Sequence, residues 1–148
     1  MQVKLRLNKE RTDRVREELA ALGIVVDENA DLILTEENYQ EDTLFCKDGA
    51  DTVSVPLEDV CYIEAVGHDV LVHTKENVYK TGLRLYRLEA DLSPDQFIRI
   101  SNGVIIARNA IRRIRPGLSC RFFLILTNGD AVDVTRTYYY KFKEFYGI

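Results

Sequence analysis

Residues 122–134 read Phe122-Phe-Leu-Ile-Leu-Thr-Asn-Gly-Asp-Ala-Val-Asp-Val134. Two apolar segments, Phe122–Thr127 and Asp130–Val134, meet across Asn128-Gly129, a dipeptide that takes positive φ readily. The pattern predicts a hairpin closed by a type I′ turn. The same short, punctuated segments continue upstream. Thr43–Lys47, Thr52–Pro56 and Val60–Val66 alternate apolar and polar residues between Asp-Gly and Leu-Glu-Asp breaks. Val70–His73 and Asn77–Lys80 flank Thr74-Lys75-Glu76 as another hairpin, and Phe97–Ile100, Val104–Ala107 and Ile111–Ile114 are further strands. Helical spacing appears twice after residue 42. Leu83–Leu92 places Leu85, Leu88 and Leu92 on one face, and the aromatic-rich Tyr138–Tyr146 follows the last strand. The fold class is therefore mainly β (α+β), with one internal and one C-terminal helix.

Residues 1–42 read differently, as a separate β-α-β-β segment. Val3–Leu7 alternates as a half-buried strand. Asn8 is placed to cap a helix with Val15, Leu19 and Leu22 at helical spacing, ending at Gly23. Ile24–Val26 and Leu32–Thr35 are short strands, and the acidic stretch Glu36–Asp42 reads as a solvated linker to a second domain over residues 43–148.

Charge follows the same division. Residues 1–42 hold six Lys/Arg against eleven Asp/Glu, whereas from Gln96 onward nine basic residues face three acidic ones. A net charge of −4 thus hides a basic C-terminal third, and phosphate binding needs a local basic surface rather than a basic average. No apolar run approaches the ~18 residues of a membrane span, and the charged start MQVKLRLNKERTDR has no apolar signal core, so a cytoplasmic location is expected. Cys46, Cys61 and Cys120 are odd in number and widely spaced, which argues against disulfides or a cysteine zinc site.

Signatures of catalysis are absent. There is no Gly-rich phosphate loop, no H-E-x-x-H, and no Ser or Cys with a base partner. Glu64 and Asp69 are close in sequence, but nothing places them across a cleft. His68 and His73, five apart along a strand, face opposite sides and make a poor metal pair. No enzyme, metal, cofactor or small-molecule substrate is expected. Tyr138, Tyr139, Tyr140, Phe142, Phe145 and Tyr146 read as packing rather than base stacking.

Three segments, in order and over about 100 residues, resemble the LytTR domain of bacterial transcription regulators. Val60-Cys-Tyr-Ile-Glu-Ala-Val-Gly-His-Asp-Val-Leu-Val-His-Thr74 is similar to the family's strand–turn–strand core. Leu83-Arg-Leu-Tyr-Arg-Leu-Glu89 with Phe97-Ile-Arg-Ile-Ser-Asn-Gly-Val-Ile-Ile106 resembles its L-x-x-L-E and F-x-R-I core. Leu126-Thr-Asn-Gly-Asp-Ala-Val-Asp-Val-Thr-Arg-Thr-Tyr138 matches L-x-N-G followed by V-S-R-x-Y. Two departures stand out: the family's H-R-S is Ser101-Asn102-Gly103 here, and the Asn that follows its Ile-Val pair is Ala107.

The resemblance implies a strand-rich domain that places loops, not a recognition helix, in successive major grooves of double-stranded DNA. Carried over by position, the base-facing residues are His68, Asn102 and Arg136. Their chemistry suits the reading of base edges. Arg136 matches guanine O6 and N7, Asn102 matches adenine N6 and N7, and His68 offers an N–H. Arg99 matches a phosphate contact of the family, and Arg108, Arg112, Arg113, Arg115 and Lys141 are further candidates for phosphate. Read without the resemblance, Arg112, Arg113 and Arg115 also fit a charged strand edge that guards against aggregation. The implied function is a sequence-specific transcription regulator that acts as a homodimer on direct repeats. About 42 residues leave no room for a receiver domain ahead of it, so control from elsewhere is expected; the resemblance to one subgroup of the family implies a small membrane protein as the associate, with the N-terminal segment as the contact or dimerisation site. A protein-interaction module on the same fold with weakened DNA binding is the competing expectation.

Overall fold

The computed structural model describes residues 1–37 and 42–148. The chain divides into two compact units, residues 1–40 and 41–148. In the first, strand β1 (Gln2–Arg6) leads to helix α1 (Lys9–Ala21), then β2 (Val25–Val26) and β3 (Leu32–Thr35). The sheet order is β2-β1-β3 and both pairings are parallel. Val3 and Leu5 on the central strand are buried, yet Leu32, Ile33 and Leu34 on the edge strand are 55%, 59% and 40% exposed. Asn8 holds the N-cap position, but its side chain makes no cap bond. Its Nδ2 donates instead to Glu36 Oε2 at 2.9 Å and its backbone N–H to Glu36 Oε1 at 3.0 Å. A carboxylate with two charge-assisted bonds outcompetes the helix amides for this side chain. Glu36 is therefore part of the first unit rather than a solvated linker; residues 38–41 of the expected linker lie outside the described residues.

The second unit is built on a seven-stranded antiparallel sheet. In chain order its strands are β4 (Thr43–Asp48), β5 (Asp51–Pro56), β6 (Val60–Val66), β7 (Asp69–Thr74), β8 (Val78–Thr81), β9 (Phe97–Ser101) and β10 (Val104–Ala107), with helix α2 (Leu85–Asp91) between β8 and β9. Their order in the sheet is β5-β4-β8-β7-β6-β10-β9. A second antiparallel sheet holds β11 (Ile111–Pro116), β12 (Phe122–Leu126) and β13 (Ala131–Val134), and helix α3 (Tyr139–Tyr146) follows. Single 3-10 turns at Leu57–Asp59 and Arg108–Ala110 join strands where sequence patterning predicts loops, and another, Arg136–Tyr138, joins β13 to α3.

Both faces of the large sheet are covered at β6, β9 and β10, and successive residues there feed different cores. Ile63 and Ile105 pack with Leu85, Leu88 and Leu92 of α2, while Tyr62, Ile106, Ile98 and Ile100 pack with Phe122, Leu124, Leu126, Val134 and Phe142. Strands coated on two faces read as apolar runs, which is why Val60-Cys61-Tyr62-Ile63 lacks a polar face. Gly147 at φ +67° ends α3 in the left-handed conformation.

The β12–β13 hairpin forms, but with a different turn. Ile125 pairs with Ala131, and Gly129 N–H reaches Leu126 O at 2.9 Å. Gly129 has φ +89°, whereas Asn128 keeps negative φ. The loop is thus three residues, Thr127-Asn128-Gly129, closing a type I turn with a left-handed glycine rather than a type I′ turn. Asn128 is occupied otherwise: its Nδ2 donates to Asp130 Oδ2 at 3.1 Å and its Oδ1 accepts the Asp130 amide at 3.0 Å.

A buried polar cluster ties this hairpin tip to the large sheet. Tyr62 donates to Asp130 Oδ2 at 2.8 Å, its ring stacks on His73 at 4.1 Å, and His73 Nε2 bonds Glu64 Oε1 at 2.7 Å. Burial, the bond to Asp130 and the nearby Glu64 push the Tyr62 hydroxyl far above its ordinary range; burial also raises Tyr146. Both shifts are upward, so their stabilisation is full below the unfolded tyrosine value of ~10 and is lost as pH rises beyond it. Urea unfolding midpoints are expected to hold between pH 8 and 9.5 and to fall steeply by pH 11, less so in Tyr62→Phe. An equal alkaline loss in that variant would reject Tyr62 as a contributor.

Candidate nucleic-acid interface

The large sheet brings two turns to one end of the second unit. β6 runs into Gly67-His68 and β9 into Asn102, and β6 and β10 are neighbours through Ile63↔Ile105 and Glu64↔Val104. Ala65 N–H, near the end of β6, donates to Gly103 O at 2.8 Å, tying the Asn102 turn to the strand that leads into Gly67-His68. The third segment arrives from the small sheet: after β13, Thr135 N–H donates to Ile100 O at 3.0 Å, and Arg136 opens the following 3-10 turn. His68, Asn102 and Arg136 therefore share one end of the unit, and all three are exposed. The side chain of Arg136 has no hydrogen-bond or ion-pair partner among the described residues.

The Asn102 turn is held from several directions. Arg99 donates through Nε to Ser101 O at 3.2 Å and through Nη2 to Asn102 O, and its Nη1 meets Glu89 of α2 at 3.0 Å. Gly103 N–H reaches Ser101 Oγ at 3.3 Å. The small Ser101-Asn102-Gly103 sequence suits this arrangement, since Ser101 stabilises its own turn. Tyr138, in the same 3-10 turn as Arg136, donates its hydroxyl to Asn102 Oδ1 at 3.3 Å. The His68 turn is held more lightly, by Arg84 Nη1 on His68 O at 3.4 Å.

The other expected cations separate by strand register. Arg115 pairs with Phe123 and thereby with Asp133, near the end of β13 that leads to Arg136, whereas Arg113 pairs with Ile125 and thereby with Ala131, at the hairpin-tip end of β13. Lys141 is exposed on the first turn of α3. Arg108 and Arg112 lie toward the opposite end. Arg108 follows β10, ~13 Å along the strand from the Asn102 turn. Its guanidinium stacks over Phe145 at 5.1 Å. Arg112 Nη2 reaches Thr127 O in the distant hairpin tip at 3.5 Å. Arg99 sits at the end shared by His68, Asn102 and Arg136 but spends its guanidinium on internal partners. Arg84, Glu89 and Tyr138 were not legible as site residues: Arg84 and Glu89 lie in the helical segment, and Tyr138 is one of six clustered aromatics. No His/Cys/Asp/Glu group among the described residues is arranged to hold a metal ion.

A family model described as the LytTr DNA-binding domain matches residues 50–147. The chain belongs to the LytTr DNA-binding domain family. Its fold is similar to that of the LytTr DNA-binding domain of a putative methyl-accepting/DNA response regulator from Bacillus cereus, with a TM-score of 0.70 and 28% identity over 73% of this chain and 99% of that one. Among curated relatives, the sensory transduction protein LytT of Bacillus subtilis is 27% identical over 78% of this chain and 49% of its own length. The transcriptional regulatory protein LytR of Staphylococcus aureus is 34% identical over 52% of this chain and 31% of its own. The chain thus spans about half or less of the curated relatives it matches. The LytTr match covers the small sheet, the large sheet except β4, and the three turns at their shared end. No helix among the described residues is long and apolar enough to cross a membrane.

Proposed function

We propose that this LytTr chain is a sequence-specific DNA-binding transcription regulator that inserts the turns at His68, Asn102 and Arg136 into successive major grooves. The observation that carries this reading is the convergence of three exposed turns from two sheets on one end, fixed to one another by backbone hydrogen bonds. Preorganised donors on short turns suit direct readout of base edges. In this reading Arg115 and Lys141 neutralise phosphates, Arg99 holds the Asn102 turn, and Arg108, Arg112 and Arg113 fall outside the footprint. The N-terminal unit supplies protein contacts: the exposed Leu32, Ile33 and Leu34 on its open edge strand support pairing in a homodimer. Control by a membrane-protein partner is a further part of the proposal, and the same unit is its expected contact.

A salt titration of duplex binding tests the reading. With two phosphates neutralised, log Kobs is expected to fall against log salt with a slope of about −2. Absence of binding to any duplex at low salt, or a slope near zero, rejects DNA binding and leaves the protein-interaction module.

A further inference from the structure

We infer that Tyr138 is a positioning residue that turns the Asn102 amide into a hydrogen-bond donor toward DNA, so that the base read at this turn is guanine in preference to adenine. The inference rests on the reading of Asn102 as base-facing and adds what that residue can recognise. Two observations carry it. The Asn102 carbonyl oxygen Oδ1 is taken by the Tyr138 hydroxyl at 3.3 Å. The backbone beneath it is fixed by the two Arg99 bonds to Ser101 O and Asn102 O and by the Arg99–Glu89 ion pair, so the turn has little freedom to roll. Tyr138 itself is anchored: its ring packs against the second core, and its N–H donates to Thr135 O at 3.0 Å. What Asn102 presents outward is its Nδ2 amide group, which has no partner among the described residues.

Base chemistry then discriminates. In the major groove guanine offers two acceptors, N7 and O6, whereas adenine pairs an N7 acceptor with an N6 donor. The bidentate Asn–adenine pair expected from the residue type needs the amide oxygen facing the base. With Oδ1 turned to Tyr138, an amide N–H meets the N6 donor of adenine and no second bond forms. The same hydroxyl couples this turn to the one bearing Arg136, since Tyr138 and Arg136 belong to a single 3-10 turn.

Selection of bound sites from a random duplex pool, run on the whole chain and on Asn102→Ala, Tyr138→Phe and Arg136→Ala, tests this. Guanine is expected at the position whose preference Asn102→Ala erases. Tyr138→Phe, which keeps the ring and frees the amide to turn, is expected to reduce guanine-over-adenine selection there about tenfold. Positions lost in Arg136→Ala, the salt slope and the melting midpoint should stay as in the unaltered chain. Adenine at that position in the unaltered chain overturns the inference, as does unchanged selection in Tyr138→Phe. A uniform loss at every position with a lowered melting midpoint also overturns it, because it marks a merely structural tyrosine. If Asn102→Ala alters no position, the underlying base-contact reading fails and takes this inference with it.

Discussion

Arg136→Ala is expected to weaken binding to the selected duplex by about 10- to 100-fold while binding to an unrelated duplex of equal length changes by less than about threefold. The guanidinium is exposed, free of internal partners among the described residues, and carried on a turn tied to β9 through Thr135 and to the Asn102 turn through Tyr138. Removing it deletes a bidentate contact without loosening the scaffold. Arg136→Lys separates geometry from charge, because an ammonium keeps the positive charge but lacks the planar fork. It should retain the non-specific affinity and recover little of the specific part. Fluorescence anisotropy on both duplexes at two salt concentrations measures this; equal losses on the two would show that Arg136 acts on phosphate.

Phe142→Ala is expected to destabilise the second unit by about 3–5 kcal/mol, a large part of the ~5–15 kcal/mol available to a domain. Phe142 is fully buried and lies 5.2 Å from Phe122 and 4.8 Å from Tyr146, between the small sheet and α3. A void there loosens the helix that follows Arg136 and Tyr138, so specific DNA binding should fall together with stability. Leu88→Ala, buried on α2 in the other core, provides the contrast: a cost of about 2–5 kcal/mol from a different layer. Urea unfolding followed by circular dichroism gives both values. A loss below about 1 kcal/mol for Phe142→Ala would mean that the two sheets hold together without it.

Most of the fold was legible because strands here are short and turn-bounded. Val60–Val66 and Val104–Ala107 coincide with observed strands, and the apolar spacing of Leu85, Leu88 and Leu92 marks the one helix that faces the first core. Two misreadings share a cause: a side chain recruited by a partner outside the local pattern. Asn8 turns from its helix to Glu36, 28 residues on, and Asn128 takes a turn set by Asp130. Neither partner is part of the strand or helix periodicity that the reading used. At the candidate site, residue type singled out Asn102 and Arg136 as candidates, but not that Arg108 sits at the far end of β10 or that the Tyr138 hydroxyl meets the Asn102 amide. Strand direction and register give the first, and a bond between residues 36 apart gives the second.

The stitching of Thr135 to Ile100 and of Tyr62 to Asp130, residues 68 apart, has a kinetic meaning. Loop-closure entropy makes such distant pairings late and slow to form. The hairpin from β6 to β7 can assemble locally, yet His68, Asn102 and Arg136 acquire a common geometry only after the small sheet docks. On the proposed reading, a partly folded chain would carry the cations without the register to read a sequence. Selectivity would then be the last property the domain acquires and the first it forfeits when it opens.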